Sequence, residues 1–365
     1  MTENINFKVS VRCMTYNQAA YIEDAMNGFC MQKTDFPFVC IVMDDASTDG
    51  EQEVIKKYLE SHFDMDDRNH LKRKETDDYK LIFTRHKENK NCYFAVFFLK
   101  YNHYWNHELK NKKTTYYSEL ESKVDYIAFC EGDDYWINSY KLKLQVNYLQ
   151  NNPDYGMCYT DFNILFQKTN VELTSVLKNR PLDFPSQYDS LDRWILSKKY
   201  LGPMTWFAKK DLFLNAPKLD SLDGTFVQFA HYYACSKVHC IKEETTAVYR
   251  IHNSSVTHGE SYNQQYKRER GMFEIQIKLA DIYKEKLSNY DLLKDKIRDD
   301  YYSKLFLIIY NNDRDELAKA MKWMKGKMTC KQKMVFVITR TKLGRYIVFS
   351  NLLSKIRRKP SDILE

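Results

Sequence analysis

The sequence predicts an α/β protein built on a doubly wound, mostly parallel sheet, and three observations carry that reading. Apolar segments of strand length alternate with segments whose apolar residues recur at helical spacing. Phe38 to Met43 is continuously apolar, as a strand covered on both faces must be. Both conspicuous acidic clusters, Asp44-Asp45 and Glu131 to Asp134, directly follow strand-like runs, on the edge where such sheets bind ligands.

Taken in order, Phe7, Val9, Val11 and Cys13 alternate with polar neighbours and make the first strand. Tyr16-Asn17-Gln18 interrupts it, and Ile22, Ala25, Met26 and Phe29 then fall on one helical face. The apolar second strand runs into Asp44-Asp45-Ala46-Ser47-Thr48-Asp49-Gly50, after which Val54, Ile55, Tyr58 and Leu59 mark a helix capped by Ser47 or Asp49. A third strand is expected at Leu81 to Thr84 and a fourth at Val124 to Cys130, before a helix carrying Leu142, Val146 and Leu149. Lys100 to Lys123 is polar, rich in Tyr and Lys and without a clear period, the pattern of an inserted loop or short hairpin. Beyond Asn151-Asn152-Pro153 the sequence turns irregular and aromatic as far as His258, as in a second, acceptor-side half built onto the first. From Tyr262 helical periods dominate, roughly 264–288, 291–311, 314–325 and 331–358. The expected domains are therefore 1–260, made of halves 1–135 and 136–260, and a helical extension over 261–365.

Composition removes several function classes. With 44% apolar and 29% charged residues but only 10 Gly and 7 Pro, the chain is not disordered, collagenous or low in complexity. No run approaches the roughly 18 apolar residues of a spanning helix, and Met1-Thr2-Glu3-Asn4 opens without the basic flank and apolar stretch of a leader, so a cytoplasmic protein is expected. Nine cysteines without a C-x-x-C pair read as buried, reduced thiols rather than a zinc or redox centre. The net charge of +7 is uneven: Lys319 to Glu365 holds 13 basic and two acidic residues, so the remainder is net negative. No nucleic-acid partner is expected, because the basic charge lies outside the motif-bearing part and no RNA- or DNA-binding signature is present.

Carboxylates at strand ends suit a divalent cation bound together with phosphate oxygens. Glu131 and Asp133, two apart in an extended strand end, face one side, whereas Asp134 turns away to hold the loop. The plain alternative is a solvated acidic turn.

Three motifs in order, V-S-V-x-x-M-T-Y-N-Q from Val9, I-V-M-D-D-A-S-T-D-G from Ile41 and D-Y-I-A-F-C-E-G-D-D-Y-W from Asp125, resemble the inverting family 2 glycosyltransferases of the GT-A fold. The resemblance, to enzymes such as those assembling bacterial cell-surface polysaccharides, covers about residues 6–260. It implies that Thr15 and Tyr16 lie beside the base of a nucleotide diphosphate sugar, with Asp45 near the uracil or ribose and Asp44 its structural neighbour. Asp133 is then the ligand of a Mn²⁺ or Mg²⁺ ion and Glu131, where the family more often has Asp, the contact to ribose or metal, with Asp134 beside them at the donor. The family's catalytic base precedes an apolar helix, ahead of a V-Y-R-x-H segment. That places it at Asp223, with Asp220 as the rival. Arg250 is assigned to the diphosphate, and His252 or His258 to the metal shell. Trp136, next to the metal loop, is a candidate for stacking on a sugar ring, whereas most other aromatic residues are expected in the core.

The activity implied is transfer of a hexosyl or N-acetylhexosaminyl group, from a UDP-linked donor, to a hydroxyl of a growing glycan or lipid-linked glycan in surface polysaccharide synthesis. A nucleotidyltransferase is the poorer fit, because Thr15-Tyr16-Asn17-Gln18 is not a Gly-rich phosphate loop. A catalytically silent sugar-nucleotide-binding or scaffold protein is the reading if Asp223 lies away from the site. In the tail, Met334 to Ile356 interleaves apolar residues with Arg340, Lys342, Arg345 and Lys355, a pattern suited to peripheral contact with an anionic membrane surface. Packing of these apolar residues on the catalytic domain is the alternative.

Overall fold

Burial follows the apolar pattern strand by strand. In the computed structural model, β1 (Val9–Thr15) and β2 (Phe38–Asp44) pair in parallel, with every residue of β2 buried. Helix α1 (Ile22–Cys30) joins them and turns Ile22, Ala25, Met26 and Phe29 inward, as the spacing predicts. Residues 5–106, 108–109, 112–179, 190–197, 202–219, 224–252, 261–339, 341 and 344 are described.

By internal contacts the chain falls into two compact units. The first comprises Met1–Tyr188, Lys199–Ala216 and His231–Asn253. After α2 (Glu51–His62) come β3 (Lys72–Glu75), β4 (Tyr79–Arg85) and β5 (Cys92–Leu99), the last buried throughout and parallel to β2. Helix α3 (Lys113–Ser122) leads to β6 (Tyr126–Phe129), parallel to β1 on its other side. Then follow β7 (Tyr135–Trp136), α4 (Lys141–Asn151), β8 (Tyr155–Phe166), β9 (Val171–Leu173), α5 (Val176–Asn179) and, in the other unit, α6 (Leu191–Ser197). The first unit continues through β10 (Phe207–Lys209) and α7 (Lys210–Leu214); α8 (Gly224–Cys235) leads into β11 (Lys237–Ile251). The sheet order is β3-β4-β5-β2-β1-β6-β10-β8-β11-β7. Its centre, β5-β2-β1-β6, is wholly parallel; β10 runs against both β6 and β8, and β8 and β11 are parallel. The ends of β1, β2, β6, β8 and β11 therefore share one edge.

Three expectations are corrected here. Residues 100–123 are not all loop: α3 forms because Glu121, 2% exposed, accepts from Arg12 Nε at 2.5 Å and from Ser10 at 3.2 Å, and Tyr117 and Leu120 are buried with it. An arginine in the middle of β1 supplies a buried anchor that helical periodicity cannot reveal. Among the described residues after Asn152 the chain is in part regular, since β8, of 12 residues, and β11, of 15, prolong the same sheet. Tyr159 and Phe162 of β8 are buried within it. The cap of α2 is neither Ser47 nor Asp49 but Gly50, whose φ of 93° favours glycine; Asp49 Oδ1 instead accepts from Glu51 N at 3.1 Å.

The second unit comprises Asp189–Lys198, Pro217–Ala230 and Ser254–Glu365. Its helices are α6, α9 (Tyr262–Ile282), α10 (Tyr290–Ser303), α11 (Leu305–Tyr310), α12 (Arg314–Trp323) and α13 (Cys330–Ile338). Ser261 and Gln264 form a reciprocal capping box on α9, and Asn289 and Asp313 cap α10 and α12. Tyr266, Tyr301, Tyr302, Leu305 and Ile308 make its core, with Phe273 stacked on Tyr301 at 4.3 Å. Among the described residues no helix is long and apolar enough to cross a membrane. All nine cysteines are free, and Cys235 and Cys330 are exposed rather than buried as expected.

Candidate active site

The shared edge is assembled around one buried carboxylate. Glu51, fully buried, accepts from Thr15 Oγ1, from Gln18 N at 2.8 Å and from Ser47 Oγ at 2.8 Å, joining the turn after β1 to the turn after β2. Asn17 N donates to Ser47 Oγ and Ala19 N to Asp49, both at 2.9 Å, and Asn17 Oδ1 accepts from Thr48 N at 2.8 Å. Burial raises the Glu51 carboxyl against these hydrogen bonds, of which that from Thr15 lowers it most. Sequence reasoning passed over Glu51; its one signal is the Ser47-x-x-x-Glu51 spacing at a helix start. Tyr16 stands 39% exposed above this brace.

The 131–134 loop lies directly on it. Gly132 N donates to Met14 O at 3.2 Å, and a Cβ on Gly132 would sit 2.4 Å from Thr15 Oγ1, so only glycine permits this approach. Glu131 is exposed. Asp134 is 4% exposed and turns inward as predicted: Oδ1 accepts from Arg250 N at 2.9 Å, and burial, with Asp133 adding repulsion, pushes its carboxyl well above the usual range. Asp133 stays partly exposed, its side chain at 18%, and the end of β11 brings His252 to it, with Nε2 3.0 Å from Oδ2.

Asp44 and Asp45 are both buried. Asp44 Oδ1 accepts from Gln52 Nε2 at 2.6 Å and Ser47 N at 3.2 Å, Oδ2 has no partner among the described residues, and burial raises the carboxyl. Asp45 accepts from His103 N at 2.7 Å, Tyr104 N at 3.0 Å and Lys113 Nζ at 2.5 Å, while Asn102 donates to its carbonyl at 3.0 Å. It thus holds the loop after β5.

Two assignments meet side chains already spent. Trp136 is 2% exposed, with Nε1 donating to Met204 O at 2.8 Å, Phe29 edge-on at 5.0 Å and Lys141 Nζ 4.5 Å from its ring centre. This indole is a core residue with no face left for a sugar. Arg250 is 4% exposed and pairs with Asp24 at 2.7 Å, its guanidinium 4.6 Å from the Tyr21 ring and 5.0 Å from the Tyr135 ring. The guanidinium expected at the diphosphate is thus paired with Asp24. Asp220, Asp223 and His258 lie outside the described residues.

The donor set suits a small divalent cation. One carboxylate and one imidazole lie within hydrogen-bond distance of each other, with Glu131 exposed nearby in sequence, and phosphate oxygens commonly complete such a shell. Among the described residues no group of three His, Cys, Asp or Glu side chains converges on one point.

Fold and edge together define an α/β protein whose parallel strands end on one edge, the place where such sheets bind ligands. Residues 10–85, the stretch that takes in the turns after β1 and β2, match the family model Glycosyl transferase family 2. It is 28% identical over 159 residues to uncharacterised proteins of Mycobacterium bovis and Mycobacterium tuberculosis, a match of 44% of this chain and 36% of theirs. The chain thus spans little more than a third of the length of these curated relatives. Among solved structures, S. aureus TarS in complex with UDP-GlcNAc aligns with a TM-score of 0.49 at 17% identity, over 83% of this chain and 73% of that one. The mannosyltransferase PcManGT from Pyrobaculum calidifontis, in complex with GDP-Man and Mn²⁺, aligns at 0.47 and 12% identity, over 96% and 84%.

Proposed function

We propose that the protein transfers a hexosyl or N-acetylhexosaminyl group from a UDP-linked sugar to a hydroxyl of a growing glycan or lipid-linked glycan, in a single inverting displacement, as a step of surface polysaccharide synthesis. The observation that carries this reading is the Asp133–His252 pair on the same sheet edge as the family 2 turns at Thr15 and Asp44. Tyr16 offers an exposed ring to the base, with Thr15, braced by Glu51, beside it. Asp133 and His252 hold the Mn²⁺ or Mg²⁺ ion, with Glu131 at its side. When bound, that ion offsets negative charge on the departing diphosphate. Asp223, assigned by the family resemblance, takes the proton of the acceptor hydroxyl as the oxygen attacks the anomeric carbon. The tail adds peripheral contact with an anionic membrane: Met334 and Val337 on α13 are 57% and 61% exposed within a basic segment, as an interfacial helix requires.

The test is a thermal-shift screen of UDP-glucose, UDP-galactose, UDP-N-acetylglucosamine and GDP-mannose with and without Mn²⁺. A cation-dependent rise with one UDP-sugar is expected, because a ligand that binds only the folded state stabilises it. Absence of any shift defeats the reading, and a product that retains the donor's anomeric configuration defeats the single displacement.

A further inference from the structure

We infer that Asp24, Arg250 and Tyr21 form a clamp that positions His252 against Asp133 and so sets the affinity of the site for its divalent cation. The inference rests on the reading of Asp133 and His252 as cation donors. His252 lies just past the last residue of β11, beyond the ladder that pairs Tyr249, Arg250 and Ile251 with Ile164, Leu165 and Phe166. Side chains are packed against it there. Arg250, two residues earlier, projects to the same side of the strand end. The Tyr21 ring covers both, 4.6 Å from the guanidinium carbon and 4.8 Å from the imidazole centre. Asp24, in the first turn of α1, closes the arrangement by accepting from Arg250 Nη2 at 2.7 Å, across 226 residues of sequence.

The exposures identify what this arginine does. Its side chain is 5% exposed whereas that of Asp24 is 52% exposed. Arg250 Nε is buried and has no hydrogen-bond partner among the described residues, and Asp24 is the carboxylate that accepts from Nη2 of the guanidinium. A guanidinium packed beside two tyrosine rings and tied to one carboxylate is fixed in place. Its backbone N–H, bonded to Asp134, fixes the metal loop from the same residue. One residue thereby holds both partners of the pair: Asp133 through its neighbour Asp134, and His252 through the roof of Tyr21. Asp24 also lines an open cavity of about 630 Å³ with Asn27, Tyr58 and Tyr135, so a change there leaves the packed core intact. Asp24 and Arg250 are positioning residues; neither touches the cation.

The experiment titrates Mn²⁺ into the full-length protein in the presence of UDP, followed by electron paramagnetic resonance. Asp24→Asn keeps the size and removes the charge. It is expected to raise the Mn²⁺ dissociation constant about tenfold, the usual cost of losing an outer-shell partner. The imidazole nitrogen coupling to Mn²⁺, present in the wild type and missing in His252→Ala, should weaken in Asp24→Asn and recover in part in Asp24→Glu. Should Asp24→Asn fail to fold, Tyr21→Leu removes the roof without stranding a charge and is expected to give the same weakened coupling. Wild-type affinity and coupling in the variant that folds overturn the clamp alone. A wild-type protein that retains no Mn²⁺ with UDP overturns the reading beneath it, and the clamp with it.

Discussion

Asp44-Asp45 ends β2 and Asp133-Asp134 follows β6, so the same dipeptide stands twice at one edge of one sheet with opposite consequences. In the first pair both carboxylates are buried and turned to the protein: Asp44 Oδ1 accepts from Ser47 and Gln52, and Asp45 accepts from His103, Tyr104 and Lys113. In the second, Asp134 is taken inward by the backbone of Arg250, which leaves Asp133 outward beside His252. The difference lies in the neighbouring chain. The segment after β5 folds back over the end of β2 and supplies two N–H groups and an ammonium, whereas the residue after β11 brings an imidazole to the 131–134 loop. A doubled acid at a strand end is thus a structural device or a ligand site according to which remote segment reaches it.

The largest expected effect tests the outward member. Asp133→Asn should lower transfer about 10³-fold, the scale of losing one preorganised charge stabiliser, while stability to denaturant changes by no more than about 1 kcal/mol. Near-normal turnover in this variant would break the contrast. The inward member of the other pair gives the complementary result: Asp45→Ala strands Lys113 and two backbone donors, so urea unfolding should report a loss of about 3 kcal/mol. Proteolysis in the 100–112 region should accelerate alongside it. If the variant is as stable as wild type, Asp45 is not the anchor described.

Asp223→Asn is expected to reduce turnover about 10²-fold with donor binding kept, as for removal of a general base. Should Asp220→Asn give that phenotype instead, the base is three residues earlier, and the outward carboxylate at Asp133 remains unaffected. The smallest effect concerns Asp44, whose carboxyl burial raises. A raised folded value penalises the charged form, so the penalty is nil well below the unfolded value of about 3.9 and grows as pH rises through the folded value. Asp44→Asn should therefore gain stability relative to wild type between pH 4 and pH 8, read from denaturation midpoints at several pH values. A flat difference across that range would place Asp44 in water.

The parallel centre of the sheet, helices α1 and α2 and the acid clusters at the strand ends were legible because each rests on short-range rules: period two, period 3.6, and ligands beyond the carboxyl ends of parallel strands. The inward turn of Asp134 was legible for the same reason, since alternate residues of an extended strand end face opposite ways. Four features depended on residues far apart in sequence. Helix α3 is held by Glu121 against Arg12, Trp136 was drawn into the core by Phe29 and Met204, Arg250 was claimed by Asp24, and Asp45 by the loop after β5. Local pattern specifies which backbone forms and which edge gathers charge, because those choices cost or gain free energy within a few residues. Which of those charges remains outward depends on what the fold brings beside it, because burial and ion pairing act through space between segments that sequence spacing does not order.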